Sequence, residues 1–312
     1  MRILFVGPGN MEIPSKGWGA VETIIWQMKL NLEKLGHTVD ILNKKGFYEA
    51  IKADPKSYDI VHLEYDDYIG MWVVLSKIFK FKLFVTSHYG YSAWPQKWHR
   101  SYWIIFFKML FSPNLIVLSK DIEKVYKKFF YRGNLNVLAN GVEIEEIKFI
   151  EKGEKGLICL GKIEPRKRQF QLAEEFSTQK EVELDFVGPI ADNRFSTNSE
   201  NVNFLGIWSR EEVKEKLTDY KALILLSDGE AHALVVGEAL SAGLSLIISD
   251  KVTANLDLSL PFIHVVKNEK EALKVAKKVC DDNYKYRKQI REYAKENFSY
   301  SEIVKKYIKI IS

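Results

Sequence analysis

Residues 222–243 read ALILLSDGEAHALVVGEALSAG. The first five are wholly apolar, as expected of a strand buried on both faces. Residues 233–242 keep small and apolar side chains at helical spacing, and Gly243 then suits a helix end. A short loop containing Gly229 joins the two. A strand that runs through such a loop into a helix is half of a βαβ unit, which argues for a parallel sheet covered by helices. The helix N-terminus offers backbone N–H groups and the positive end of the helix dipole, a setting suited to a phosphate. Two carboxylates flank it. Glu230 precedes the helix, and Glu238 lies about two turns inside it. A solvated helix with two surface glutamates is the plainer alternative. Glu238, however, sits within Val235-Val236-Gly237-Glu238-Ala239-Leu240, where a carboxylate without partners is costly.

The alternation extends outward from this stretch. Strands are predicted at 156–160, 182–187 and 245–249, with helices at 169–176 and 211–217. An earlier series opens with 2–6, a short apolar run ending at Gly7. A helix follows, carried by Val21, Ile24, Ile25, Met28, Leu32 and Leu35 and ended by Gly36. Strands at 37–42, 59–63, 82–86, 114–118 and 135–139 continue it. Two doubly wound α/β domains facing across a cleft are therefore expected, with ligands beyond the carboxyl ends of the strands. The charged stretch 143–155 reads as the linker. This places a first domain at 1–150 and a second at 151–297. Residues 298–312, with Ile303, Val304, Tyr307, Ile308 and Ile311 on one face, are expected to form a helix that packs back on the first domain.

The chain has 312 residues, 46% hydrophobic and 28% charged, a composition of folded domains. Its two cysteines, Cys159 and Cys280, form no CxxC pair, which suits a reducing compartment. No apolar run approaches the roughly 20 residues of a membrane-spanning helix. A cytoplasmic location is expected.

Further motifs lie at the ends of other predicted strands. Leu160-Gly161-Lys162-Ile163-Glu164-Pro165-Arg166-Lys167 sets basic groups five apart after a strand and a glycine, a spacing that can clamp a diphosphate. A solvated basic loop is the alternative. Pro14-Ser15-Lys16-Gly17-Trp18-Gly19-Ala20-Val21-Glu22 lets backbone approach a ligand closely at Gly17 and Gly19. Gly7-Pro8-Gly9 suggests a dinucleotide fingerprint, but Glu12 occupies its third glycine position, so a nicotinamide dehydrogenase is disfavoured. Thr86-Ser87-His88-Tyr89-Gly90 puts His88 at the end of an apolar strand. A lone histidine is more often structural, but this position favours function. By residue chemistry, Glu230 can accept hydrogen bonds from sugar hydroxyls and Glu238 from a ribose.

Taken in order, these motifs resemble the retaining family 4 glycosyltransferases, of the glycosyl transferases group 1 type, which have the GT-B fold. Residues 230–238 are similar to the family's Glu-x7-Glu motif. That resemblance implies that Glu230 binds the donor sugar and Glu238 the ribose, with His232, Ala233 and Leu234 at the helix N-terminus beside them. Residues 161–167 are similar to its Gly-Arg-x-x-x-x-Lys segment, implying that Lys162 and Lys167 hold the donor pyrophosphate. Gly17 and Gly19 match its glycine-rich approach to the first helix, and His88 matches its active-site histidine. The sequence departs from the pattern at four places, one of them Ser245, where Pro is frequent. Lys162 stands for Arg and loses the bidentate fork, for which Arg166 is placed to compensate. Arg168 stands for a common Gly. Ala231-His232-Ala233 stands where Gly-Phe-Gly is frequent.

The resemblance implies transfer from a nucleoside-diphosphate sugar to a glycan or lipid-linked acceptor, with no cofactor and no metal. The chain has no Asp-x-Asp motif, and its six histidines are scattered. A same-fold nucleotide-sugar epimerase and a non-catalytic sugar-nucleotide-binding protein remain as alternatives. Only a transferase makes a new glycoside from an added acceptor. The charge is uneven. Residues 1–150 carry a net +5 and 151–312 a net zero, and 77–132 alone carry +9. Trp94, Trp98, Trp103, Phe106, Phe107 and Phe111 lie among Lys97, Arg100 and Lys108 there. The pattern suits a peripheral position at an anionic membrane surface. The competing arrangement has these rings facing the core. Nucleic acid is disfavoured because the second half is neutral.

Overall fold

The computed structural model describes residues 1–15, 19–88, 100–197 and 199–312. The chain forms two units, one of Met1–Gly141 with Tyr300–Ser312 and the other of Val142–Ser299.

In the first unit the chain runs β1 (Arg2–Val6), α1 (Ala20–Lys34), β2 (Thr38–Leu42), α2 (Phe47–Lys52), β3 (Ile60–Leu63), α3 (Ile69–Phe79), β4 (Lys82–Thr86), α4 (Arg100–Met109), β5 (Asn114–Val117), α5 (Lys120–Lys128) and β6 (Asn134–Val137). The six strands are all parallel, in the order β2-β1-β3-β4-β5-β6. Ile3 pairs with both Val39 and Ile60. Every residue of β3 and β5 is buried, His62 and Asn114 included, as strands of a sheet covered on both faces are.

In the second unit, β7 (Lys155–Leu160), α6 (Gln169–Phe176), β8 (Leu184–Val187), β9 (Val202–Phe204), α7 (Arg210–Lys216), β10 (Tyr220–Leu225), α8 (Leu234–Ser241), β11 (Ser245–Ser249), β12 (Ile263–Val266), α9 (Glu269–Asp282) and α10 (Arg287–Phe298) follow. Its strands are again all parallel, in the order β12-β11-β10-β7-β8-β9. Leu157, Phe186, Ala222, Ile224 and Ile247 are fully buried in its core. Winding departs in opposite directions from β7, so β7 and β10 are neighbours whose loops diverge. The same holds for β1 and β3. Such switch points leave crevices beyond the strand ends.

The segment expected to be a linker is part of the second unit. Ile144 and Ile147 are buried, and Arg291 donates to both of their carbonyls. Lys148 N–H donates to the Lys214 carbonyl, and Ile150 N–H to Thr218 Oγ1. Its charges hid two core isoleucines three residues apart. The division between units therefore falls at Gly141 and Val142 instead of near residue 150.

The last helix, α11 (Tyr300–Ile311), belongs to the first unit and packs on α1. Ile303, Val304, Tyr307 and Ile311 are its buried apolar face. The Tyr307 ring stacks on His62 at 5.3 Å, and its hydroxyl is hydrogen-bonded to His62 Nδ1 at 2.7 Å. Lys82 Nζ donates to the Ile311 carbonyl at 2.6 Å.

Candidate active site

Two loops meet at the switch point of the second unit. One follows β7 and the other follows β10, and their main chains are joined by a bond from Asp228 N–H to the Arg166 carbonyl. The Arg166 guanidinium crosses between them. It donates to Glu230 Oε1 at 2.9 Å, to Ser227 Oγ at 3.0 Å, to Glu164 Oε1 at 2.6 Å and to the Gly229 carbonyl. Burial works against its charge, but Glu230 and Glu164 outweigh burial and raise its pKa above the ordinary value. Arg166 thus fixes Glu230, which the sequence reading had treated as a separate ligand-binding residue.

Arg168 has a φ of +53°, the left-handed region where glycine is favoured. The cost of a side chain there is offset by bonds from its Nε to the Leu226 carbonyl and by Asp228 at 3.4 Å. This explains how the chain carries an arginine at that position.

Lys162 projects from the loop with its side chain exposed. Lys167 folds over the end of β7, since a Cβ added at Gly161 would come 3.0 Å from its Nζ. Beneath it Cys159 is buried. Burial pushes the thiol up to about 12, against the pull of Lys167, so it is no nucleophile near neutral pH.

After the second loop, Ala233 is the N-cap of α8, and no side chain caps the helix. The first turn begins at Leu234, soon after the segment Ser227–Glu230 that Arg166 organises. His232, just ahead of it, packs against Phe298 with ring centres 5.6 Å apart. Burial pushes its pKa down to about 4, so it is uncharged at neutral pH and offers a phosphate no cation.

Glu238 is only 6% exposed. Its Oε1 accepts a hydrogen bond from Arg210, whose guanidinium also lies 3.7 Å from Glu143. Lys214 stands 3.4 Å from Glu143 as well. A carboxylate inside an apolar helix is therefore tolerated because a cation from the start of α7 reaches it. The sequence reading anticipated that Glu238 needed a partner and did not find Arg210, which lies 28 residues away on another element.

In the first unit, β3 and β4 end side by side and carry a polar chain. His88 Nε2 lies 2.6 Å from Glu64 Oε2, and Glu64 Oε1 lies 3.5 Å from His62 Nε2. His62 Nε2 is also 2.7 Å from Thr86 Oγ1. Burial alone would raise the Glu64 carboxyl; His62 and His88 outweigh it and hold its pKa below the usual value. Burial lowers the pKa of His62. Gly19 is the N-cap of α1, and a Cβ there would meet Glu22 Oε2 at 2.8 Å and Ser15 Oγ at 2.9 Å. Gly17 lies outside the described residues. The structure thus gathers Glu230, Arg166, Lys162, Lys167, His232, Ala233, Leu234 and Glu238 within one unit, on two adjoining loops and the helix that follows. His88 and Gly19 belong to the other unit. Glu64 was missed, although it has the same placement after a buried strand that singled out His88.

Residues 142–297, half of the chain, match the profile of the family described as glycosyl transferases group 1. The chain belongs to this family. No curated protein sequence matches it. Several solved structures share its fold over nearly its whole length. A sucrose-phosphate synthase from Thermosynechococcus elongatus has 16% identity and a TM-score of 0.79, with 99% of this chain and 98% of that one covered. The Anabaena protein HepE, in complex with UDP and glucose, has 14% identity, a TM-score of 0.75 and coverage of 99% and 98%. The lipopolysaccharide outer core galactosyltransferase WaaB in its apo form has 16% identity, a TM-score of 0.74 and coverage of 100% and 99%. The glycosyltransferase accordingly has the GT-B fold, with two Rossmann-like units. Its family supports sugar transfer as the general activity.

The Arg210–Glu238 pair makes a stability prediction. Replacing Arg210 by Ala leaves the buried Glu238 carboxylate without its cation, at a cost on the order of 2 kcal/mol given the partial exposure of Arg210. Adding Glu238→Gln to that variant should recover part of the loss, because the neutral amide is cheaper to bury. Urea unfolding measures both variants, and a singly substituted protein as stable as the parent would contradict the pairing.

Proposed function

We propose that this glycosyltransferase moves a sugar, with retention of anomeric configuration, from a nucleoside-diphosphate sugar to a glycan or lipid-linked acceptor. The observation that carries the reading is the convergence at the β7/β10 switch point. Lys167, Arg166 and the uncapped N-terminus of α8 lie on two loops whose main chains are bonded together. Glu230 and Glu238 flank that N-terminus. The binding of UDP and glucose by the structural neighbour from Anabaena supports a nucleotide-sugar donor.

On this reading, Glu238 binds the ribose and Glu230 the donor sugar. The diphosphate lies against Leu234, with Ala233 and His232 beside it. As the bond from the anomeric carbon to the phosphate oxygen breaks, negative charge grows on the terminal phosphate. Lys162, Lys167 and the α8 dipole stabilise that charge without moving far. The acceptor hydroxyl gives its proton to the departing phosphate. Arg166, tied to two carboxylates, chiefly orders the loop and Glu230. Gly19 lets the backbone ahead of α1 approach a ligand, and His88 meets a sugar hydroxyl.

A second reading concerns the acceptor side: we propose that the first unit rests on an anionic lipid surface through α3 and α4. Residues 68–120 contain seven Lys or Arg and no Asp or Glu. Trp94, Lys97 and Trp98 fall outside the described residues. In the described part of α4 the aromatics divide. Phe106 is buried, and Trp103 packs on Phe107 and Phe129. Phe107 and Ile104 remain about half exposed, and Phe111 is 72% exposed. On α3, which packs beside α4, Val74 and Ile78 are exposed near Lys77 and Lys80. Apolar side chains grouped with cations and free of carboxylates suit a headgroup layer. Lys124 and Lys127 are less suited, because Asp121 and Glu123 pair with them.

Two experiments test these readings. A melting-temperature screen against UDP-, GDP- and ADP-sugars should single out one donor, since a ligand that binds the native state raises the melting point. With that donor, Glu230→Ala and Glu238→Ala should each lower kcat/KM by roughly a hundredfold, from lost hydrogen bonds to charged groups. Transfer should persist in EDTA, because lysines and the helix end supply the cations. Unchanged kinetics in both well-folded variants would reject the donor site, and consumption of donor without a new glycoside would favour an epimerase. For the membrane reading, co-sedimentation with phosphatidylglycerol vesicles should fall with salt and fall again when Lys77, Lys80 and Lys108 become Glu. No difference between anionic and neutral vesicles would refute it.

A further inference from the structure

The polar chain at the ends of β3 and β4 has a direction that fixes what His88 can do. The Glu64 side chain is 4% exposed and that of His88 is 8% exposed. An ionised carboxylate can only accept hydrogen bonds. The 2.6 Å contact therefore places a proton on His88 Nε2. The other ring nitrogen, Nδ1, is buried and meets no hydrogen-bond partner among the described residues. A proton at Nδ1 would leave an N–H buried without an acceptor, which is the costlier arrangement. His88 thus carries its lone pair at Nδ1. His88 and Glu64 line a narrow recess of about 20 Å³, room for one hydroxyl or water, with Asn140, Thr86 and Tyr307.

Glu64 is itself held in place. Its second oxygen faces His62, whose Nε2 is bonded to Thr86 and whose Nδ1 is bonded to Tyr307. The carboxylate cannot swing away without losing the contacts that make its burial tolerable.

We propose that Glu64 is a positioning residue: it holds His88 in the tautomer whose Nδ1 accepts a hydrogen bond from a hydroxyl of the sugar substrate. The ligand chemistry rests on the glycosyltransferase reading above, whereas the tautomer does not. His88 is then an acceptor that selects for a donated O–H. A ligand lacking that hydroxyl leaves Nδ1 buried and unsatisfied.

The direct test is the two-bond proton–nitrogen spectrum of the full chain labelled with ¹⁵N-histidine. The His88 signals are assigned by their absence in His88→Ala. In the parent protein Nε2 should have the protonated type of shift and Nδ1 the unprotonated type. In Glu64→Ala the two shifts should move toward each other as the tautomers mix. A protonated Nδ1 in the parent protein, or an unchanged spectrum in folded Glu64→Ala, overturns the proposal. If Glu64→Ala does not fold, the parent spectrum alone decides. With the donor found by the melting screen, Glu64→Ala should lower kcat/KM on the order of tenfold. In the His88→Ala background it should cost less than about twofold, because its effect runs through His88. An equal loss in both backgrounds marks Glu64 as merely structural. Failure of every donor in the screen would count against the transferase reading and leave the tautomer result standing.

Discussion

The second unit depends on one buried guanidinium. Arg287, 1% exposed, donates to the carbonyls of Ile150, Thr218, Tyr220 and Ala242 at 2.7–2.9 Å. Those carbonyls come from the segment leading into β7, the two residues around the start of β10 and the end of α8. Burial pushes its pKa down to about 10, still far above neutral, so it keeps its charge. Room for it is made by backbone. A Cβ on Gly153 would lie 2.7 Å from its Nη1, and one on Gly243 would lie 3.3 Å from its Nε. A charge buried with its donors satisfied by carbonyls is costly to break, because removing it orphans several main-chain acceptors at once. Holding the C-terminal end of α8 aims the opposite end, about 12 Å away, at the switch point.

The proposed donor site is built on this support. Arg166 and Arg210 each hold one of the two glutamates of α8 and its preceding loop. Both carboxylates are therefore held by protein partners, and less side-chain entropy remains to be lost on binding. The cations proposed for the phosphates are different groups, the exposed Lys162 and the half-buried Lys167. Ordering and charge neutralisation are thus divided between arginines and lysines. The division follows their chemistry, since the planar guanidinium makes several fixed bonds and the ammonium acts as a mobile point charge.

The fold was legible because a buried parallel strand has an unmistakable pattern. The helix Gln169–Phe176 and the strand Ser245–Ser249 were placed with their observed ends. Strand β9, only three residues long and half exposed, carried too little apolar signal to be placed. The stretch 143–155 misled because charge masks spacing. Ile144 and Ile147 are core residues, and the carbonyls that Arg287 and Arg291 bind leave no trace in side-chain composition. The strand, loop and helix that carry Glu230 and Glu238 were legible because that pattern is local in sequence. Arg210 and Glu64 were not, since each matters through a partner 28 or 24 residues away. Contacts of that kind belong to the fold and not to a motif.

The central claim is that the α8 N-terminus and the β7 loop hold the donor diphosphate. A crystal structure of the chain with the nucleoside diphosphate that stabilises it most would test this directly. The account predicts phosphate oxygens within hydrogen-bonding distance of the Leu234 N–H and Lys167 Nζ, with the ribose hydroxyls on Glu238. A nucleotide bound with its phosphates away from both loops, or on the first unit, would contradict it.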